Sequence, residues 1–461
     1  MSFTHSPRFL LTASDPSSPK SLVMVVSSSS LQLVLSRLVQ VHRGALNPLR
    51  LFDGLEYLSS ELRILFWARC PLQSLASVIS LENLQILEMR ESQIEYLWEG
   101  KKQLKSLKHI YLSHSLNLCK TPDLCGCPNL EILDFEGCIQ LYEVDSSVGF
   151  LERLTHLYLN GCKNLRLLPS SVSGLKSLKF LDLRDCSKLE KLPEDFGHLE
   201  SLEFLYVNGT GLRELPSCMG LKNLIILSFS GCTAGTGPPI SKLLPSSFAG
   251  LHSLTELNLW YRNLLEGDIP DNISCLSSLK KLYLADNQFV TVPESLSQLH
   301  RFGHLVLNHC PNLQRLPKLP SRVRVAARDC ISLEIVPEHL SSAYFLNCLK
   351  LAKCTSVAFT SMKRHLQQAL QYHRQVEKFE FVIPGNDIPE WFNHHSTGPL
   401  VTIDLPPGLQ VKKCGVRIVY NHDEEEIMVN NVDPSTFSDI LWPGEVAIVS
   451  GATTKRGHEH Y

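Results

Sequence analysis

Apolar and polar residues alternate along this chain in short bursts, and the bursts recur. In LTHLYLNGC at 154–162, Leu157 and Leu159 alternate with Tyr158 and Asn160. Period-two alternation over a few residues predicts a short strand with one buried face. The same phrase returns as LEILDFEGC at 130–138, LKFLDLRDC at 178–186 and LIILSFSGC at 224–232. Looser copies start at Leu62, Leu84, Leu107, Leu202, Leu254, Leu279, Phe302, Arg322 and Leu340. A pair such as Leu168–Pro169, Leu192–Pro193, Leu215–Pro216 or Val292–Pro293 follows most copies. Proline fixes φ and removes a donor, so these pairs belong on an irregular side and not in the sheet. The residues after each pair, Ser170 to Leu175 for example, predict a short helical turn.

The steps between copies lie mostly between 22 and 25 residues, with one of 30 where TAGTGPPISKLLP is inserted. A period in the twenties with LxxLxLxxC predicts a leucine-rich-repeat solenoid. The expected fold class is therefore α/β, a horseshoe of about thirteen repeats with a parallel sheet on its concave face. One repeat cannot bury its leucines alone; stacking makes the core. Polar strand positions then face the concave side: Glu88 and Arg90, Tyr111 and Ser113, Asp134 and Glu136, Tyr158 and Asn160, Asp182 and Arg184, Tyr206 and Asn208, Ser228 and Ser230, Asn258 and Trp260, and Tyr283. Of these, Tyr111, Asp134, Glu136, Tyr158, Asp182, Arg184, Tyr206, Trp260 and Tyr283 are the candidate partner-binding residues. Aromatic side chains bury much area with few rotamers and are enriched at interface hot spots, although tyrosine also suits strands for structural reasons.

The chain has 461 residues, 15 of them cysteine. Cys70, Cys138, Cys162, Cys186, Cys232, Cys310, Cys330 and Cys348 each stand eight residues after a repeat start, a place held by Asn287 and Thr210 in two other repeats. That spacing predicts a ladder of buried, reduced thiols in which S–H donates weakly to backbone. Neither disulfides nor a structural metal is expected, since Cys125–Gly126–Cys127 lacks a partner cluster. His394–His395 and the run Asp423 to Glu426 suggest solvated turns in place of metal ligands. The net charge of −2 comes without a basic block, so no nucleic-acid partner is expected. No apolar run is long enough to span a membrane. There is no GxxxxGK[ST] loop to cradle a nucleotide phosphate and no recognised catalytic motif, so the expectation is a binding protein without cofactor.

Several phrases go beyond generic repeats: EYLSSELRILFWARCPLQSLAS at 56–77, IEYLWEGKKQLKSLKHIYLSHSLNL at 94–118, and FVIPGNDIPEWFNHHSTG at 381–398. Together these resemble the C-terminal part of plant intracellular immune receptors of the TIR–nucleotide-binding–leucine-rich-repeat class. The resemblance implies a repeat domain over 46–355, a helical cap over 356–378, and a small β-sandwich or jelly-roll-like domain over 379–435, with Pro384, Gly385, Pro389 and Trp391 packing inside it. Residues 1–45 are expected to be a disordered or transit-like leader, and 436–461 match nothing in the class. LPPGLQ at 405–410 runs straight into VKKCGVRIVYNHDEEE, phrases that resemble the start and end of that small domain. A truncated domain is therefore expected, and the signalling domains of the class have no room. By resemblance the function is effector recognition in plant innate immunity through protein–protein binding. The implied partners are a pathogen effector or guarded host protein, and other domains of a complete receptor. The implied place is the cytoplasm or nucleus. Two sequons, at Asn208 and Asn272, and the phrase LLEGDIPDNIS keep an extracellular receptor-like protein open. A decoy or adaptor without signalling is the other alternative.

Overall fold

The computed structural model describes residues 63–351 except 71, 76–80, 213–214, 216–219, 232–247, 249, 338–339, 341, 346–347 and 349. It also describes Glu380–Val382 and Ile448–Val449. The chain divides into two compact units, one ending at Leu227 with Cys232–Gly235 attached, the other formed by Ser228–Gly231 and Thr236 onward.

In the first unit, seven three-residue strands follow the repeats: β1 (Ile64–Phe66), β2 (Ile86–Glu88), β3 (His109–Tyr111), β4 (Ile132–Asp134), β5 (His156–Tyr158), β6 (Phe180–Asp182) and β7 (Phe204–Tyr206). Each pairs in parallel with the next, and the register never slips. Leu65, Leu87, Ile110, Leu133, Leu157, Leu181 and Leu205 thus stand in one row. All seven are buried. The register is forced, because a slip of one residue would turn every leucine to solvent. β8 (Ile226–Ser228) lies at the division between the units. The second unit repeats the arrangement with β9 (Glu256–Asn258), β10 (Lys281–Tyr283), β11 (His304–Val306), β12 (Arg324–Ala326) and β13 (Ser342–Tyr344), whose central residues Leu257, Leu282, Leu305, Val325 and Ala343 align. β14 (Glu380–Val382) continues in parallel, and β15 (Ile448–Val449) pairs with it antiparallel.

After each strand from β1 to β12 the chain turns inward through a residue with positive φ. Glycine fills that position at Gly137, Gly161 and Gly209, and His114, Asp185, Asp286, His309 and Asp329 fill it elsewhere. The turn delivers the thiol slot to the core. The Sγ of Cys138 donates to the Leu112 carbonyl at 3.3 Å, Cys162 to Phe135 at 3.2 Å, Cys186 to Leu159 at 3.1 Å, Cys310 to Leu284 at 3.3 Å, and Cys330 to Leu307 at 3.0 Å. Every described cysteine is a free thiol. Burial pushes the Cys138 and Cys186 thiols up to about 12, which leaves them unreactive. Cys232 lies outside the described residues.

The convex side carries short helical turns after the Leu–Pro pairs, as expected, and they are of the tighter 3-10 kind. Its regular elements among the described residues are single 3-10 turns: Ser146–Phe150, Ser170–Gly174, Glu194–His198, Asp271–Cys275 and Glu294–Gln298. The segment between the Leu–Pro pair and the next leucine is too short for two α-helical turns, and a 3-10 turn spans it with i→i+3 bonds. Four of these turns are entered from Pro169, Pro193, Pro270 and Pro293, each in extended backbone. Neighbouring turns approach so closely that a Cβ on Gly174 would stand 2.4 Å from the Gly149 carbonyl oxygen. Pro384, Gly385, Pro389 and Trp391, the leader, the cap over 356–378, the small domain's interior and the tail lie outside the described residues, apart from β14 and β15.

Candidate protein-binding face

In the first unit the strict register converts sequence alternation into three rows on the concave side of the sheet. The row at the strand starts holds His109, Ile132, His156, Phe180 and Phe204. The row at the strand ends holds Glu88, Tyr111, Asp134, Tyr158, Asp182 and Tyr206. Two residues further on come Arg90, Ser113, Glu136, Asn160 and Arg184.

Ring contacts join His156, Tyr158, Phe180, Phe204 and Tyr206 into one cluster and His109 and Tyr111 into a second pair, with Ile132 and Asp134 between them. Ring centroids lie 6.0 Å apart for His109 and Tyr111, 6.1 Å for His156 and Tyr158, 5.0 Å for Tyr158 and Phe180, 5.6 Å for Phe180 and Tyr206, and 6.1 Å for Phe180 and Phe204. These tilted and offset arrangements are the favourable ones for ring quadrupoles. Half-burial depresses the basicity of His109 and His156, because the charged imidazole is disfavoured there. The Tyr111 and Tyr158 hydroxyls are pushed up, first by burial and then by neighbouring carboxylates.

Tyr111, Tyr158 and Tyr206 therefore stand in one row as expected from their spacing. Asp134 and Asp182 are 7% and 1% exposed, and each carboxylate is held by partners two residues further along the chain. The Asp134 carboxylate accepts from the Glu136 N–H at 3.0 Å, and Asp182 accepts from the Arg184 N–H at 3.0 Å. Arg184 also clamps Asp182 through its guanidinium, at 2.9 and 2.6 Å. Glu136 and Arg184 remain partly exposed. Trp260 and Tyr283 belong to the second unit, where the half-exposed Trp260 donates its indole N–H to Asp286. His109, His156, Phe180 and Phe204 complete the aromatic clusters although the tyrosine spacing alone does not mark them; each stands two residues before a concave position already identified. Among the described residues no group of three His, Cys, Asp or Glu is placed to hold a metal, and no helix is long and apolar enough to cross a membrane.

Comparison with known families agrees with this geometry. A family model described as a leucine-rich repeat region matches residues 170–266, and leucine-rich-repeat models match 83–102, 153–175 and 278–299. This is a leucine-rich-repeat chain. Its relatives are plant disease resistance proteins. It is 30% identical over 450 residues to TMV resistance protein N of Nicotiana glutinosa, covering 80% of this chain and 39% of that protein. It is 31% identical over 446 residues to disease resistance-like protein DSC1 of Arabidopsis thaliana, covering 78% of this chain and 36% of that one. Against disease resistance protein RML1B of Arabidopsis thaliana the identity is 36% over 347 residues, covering 74% of this chain and 29% of the relative. The repeat chain thus spans about two fifths or less of the length of these relatives.

Proposed function

We propose that the concave aromatic face of the first unit is a protein-recognition surface, and that it senses a pathogen effector or a guarded host protein in plant innate immunity. The observation that carries this is the gathering of Tyr111, Tyr158, Tyr206, His156, Phe180 and Phe204 on one sheet face, rimmed by Arg90, Glu136 and Arg184. Stiff aromatics with a charged rim are the composition of interface hot spots. The relatives carry the names of resistance proteins, which supports this reading. Free thiols along the core suit a reducing compartment, which supports action inside the cell. The test is recovery of the tagged chain from infected tissue beside a variant carrying Tyr111→Ala, Tyr158→Ala and Tyr206→Ala. The native chain is expected to retain a pathogen or host protein, and the variant to retain it at least about tenfold less while keeping its melting behaviour, since truncated hot-spot aromatics cost more than 1 kcal/mol each. Equal retention by a folded variant would remove the concave face from the mechanism.

The extracellular alternative meets a structural obstacle. In the sequon at Asn208, Thr210 is 1% exposed and its hydroxyl donates to the Val207 carbonyl at 2.7 Å, while the Asn208 side-chain oxygen is also buried. In the folded repeat neither the Thr210 hydroxyl nor the Asn208 side-chain oxygen faces solvent. If the chain is driven through a secretory pathway, the folded, protease-resistant fraction is expected to carry an unmodified Asn208, as read by peptide mass spectrometry. Glycan at high occupancy in that fraction would restore the extracellular reading.

A further inference from the structure

Within the first unit a carboxylate and a tyrosine recur together at β2, β4 and β6, and at β2 and β6 an arginine completes an arrangement of three side chains. A carboxylate ends one strand, an arginine stands two residues later, and a tyrosine ends the next strand. In one instance Arg90 pairs with Glu88 at 2.9 Å and lies over the Tyr111 ring at 5.1 Å. In another, Arg184 pairs with Asp182 at 2.6 Å and lies over the Tyr206 ring at 5.5 Å. Each arginine thus satisfies the carboxylate and faces the ring of the following repeat, a combination of charge-assisted hydrogen bonding and cation–π attraction.

The copy between them keeps the carboxylate and the tyrosine but not the cation. Asp134 and Tyr158 take the two outer places, and Glu136 stands where the other copies have arginine. Asp134 accepts the Glu136 N–H as Asp182 accepts the Arg184 N–H, so the local backbone is the same. Arg90 reaches Asp134 only in a long ion pair of 3.9 Å, beside its 2.9 Å pairing with Glu88. The Glu136 carboxylate forms no ion pair among the described residues. On either side of Glu136 in its row, Ser113 and Asn160 each hold a buried side-chain oxygen without a hydrogen-bond partner, and Ser113 is 2% exposed. The charges acting on the Tyr158 hydroxyl are those of Asp134, Asp182 and Glu136, all negative, whereas Tyr111 also feels Arg90. His114, whose ring stands against Gly137, completes the rim.

We infer that Asp134, Glu136 and Tyr158, with the Ser113 and Asn160 oxygens beside them, form a socket for an arginine side chain of the partner protein. A guanidinium supplies the N–H donors that this cluster of acceptors lacks, and its flat face matches the Tyr158 ring as Arg90 and Arg184 match theirs. An ammonium offers a point charge without the stacking plane, so lysine fits less well. The inference rests on the concave face being a docking surface, and it specifies what that surface recognises.

The direct probe is N-acetyl-arginine amide, titrated into the full chain with tyrosine ring resonances observed by NMR, beside its neutral isostere N-acetyl-citrulline amide. Saturable shifts at Tyr158 are expected for arginine, with the citrulline compound and the Glu136→Gln variant each weaker by roughly tenfold. Glu136→Arg is expected to restore the three-residue arrangement internally, raising the melting temperature by about 1–3 °C and abolishing the arginine shifts. Citrulline binding as tightly as arginine, or arginine binding unchanged in folded Glu136→Arg, would overturn the socket. Selection from a random peptide library separates the two levels. Arginine-free binders that still compete at Tyr158 would leave the docking surface standing and remove the socket. Arginine shifts without any selected binder would do the reverse.

Discussion

Leu157→Asp is expected to remove most of the stability of the first unit at neutral pH. Leu157 is wholly buried between Leu133 and Leu181 in the parallel register. Losing its apolar contact costs about 2–3 kcal/mol. The introduced carboxyl then either buries an unpaired charge or stays protonated three pH units above its ordinary value near 3.9, which costs about 4 kcal/mol at pH 7. The sum is comparable to the whole stability of an ordinary domain. The pH dependence isolates the ionic part. In the folded variant the carboxyl is raised, so its favourable protonated state is fully present below about pH 4 and stability falls as pH rises from there. Leu157→Asn, similar in shape and without ionisation, is the control. Urea melts of the two variants are expected to converge near pH 4 and to separate by about 4 kcal/mol at pH 7. A pH-independent difference would mean that water reaches the site and that the strand row is not the sealed core described.

What the sequence made legible was whatever a repeat determines by itself. The alternation in LTHLYLNGC located the strand, the inward leucines and the thiol slot, because those depend on neighbours one or two residues away. The Leu–Pro pairs marked the entries to the convex turns for the same reason. Burial within the polar rows was not legible in this way. Asp182 and Asn258 hold the same place between two leucines, yet Asp182 is buried while Asn258 is partly exposed. The local Arg184 clamp holds Asp182, and Arg184 in turn lies over Tyr206 of the adjoining strand. Phe180 and Phe204 precede Leu181 and Leu205, outside the two alternating positions that mark the concave side of each repeat. Arg262 is hidden from the sequence at a different level. It occupies the slot filled by cysteine in other repeats, is 1% exposed, stacks over Phe229 at 3.8 Å, and donates to the Gly231 carbonyl at 2.9 Å. A charged residue at that spacing was visible in the sequence, but its acceptors are set by the preceding repeat.

That slot also carries the second large effect. Asn287→Ala is expected to cost roughly 4 kcal/mol. The Asn287 amide is fully buried and serves five backbone groups. Its nitrogen lies within hydrogen-bonding reach of the carbonyls of Leu259 at 3.0 Å, Leu284 at 2.8 Å and Ala285 at 3.1 Å, and its oxygen accepts from the N–H groups of Arg262 at 3.2 Å and Leu264 at 3.0 Å. Alanine leaves the Leu259 carbonyl and the N–H groups of Arg262 and Leu264 buried without this partner, each at about 1 kcal/mol or more, while the Leu284 and Ala285 carbonyls keep the Cys310 thiol and the Tyr261 N–H. A cysteine can answer one carbonyl, as Cys310 answers Leu284 at 3.3 Å, but its thiol is a weak acceptor and cannot hold both N–H groups. Asn287→Cys should therefore recover only about 1 kcal/mol of the loss. Hydrogen exchange at the Leu264 amide reads the same event locally, since that N–H loses its acceptor in both variants. A loss under about 1.5 kcal/mol in Asn287→Ala with full protection at Leu264 would show that the turn holds itself without the side chain. The cysteine and asparagine forms of the slot would then be interchangeable. The expected result makes Asn287 the stronger clasp between its repeat and the preceding one, and the thiols weaker versions of the same bond.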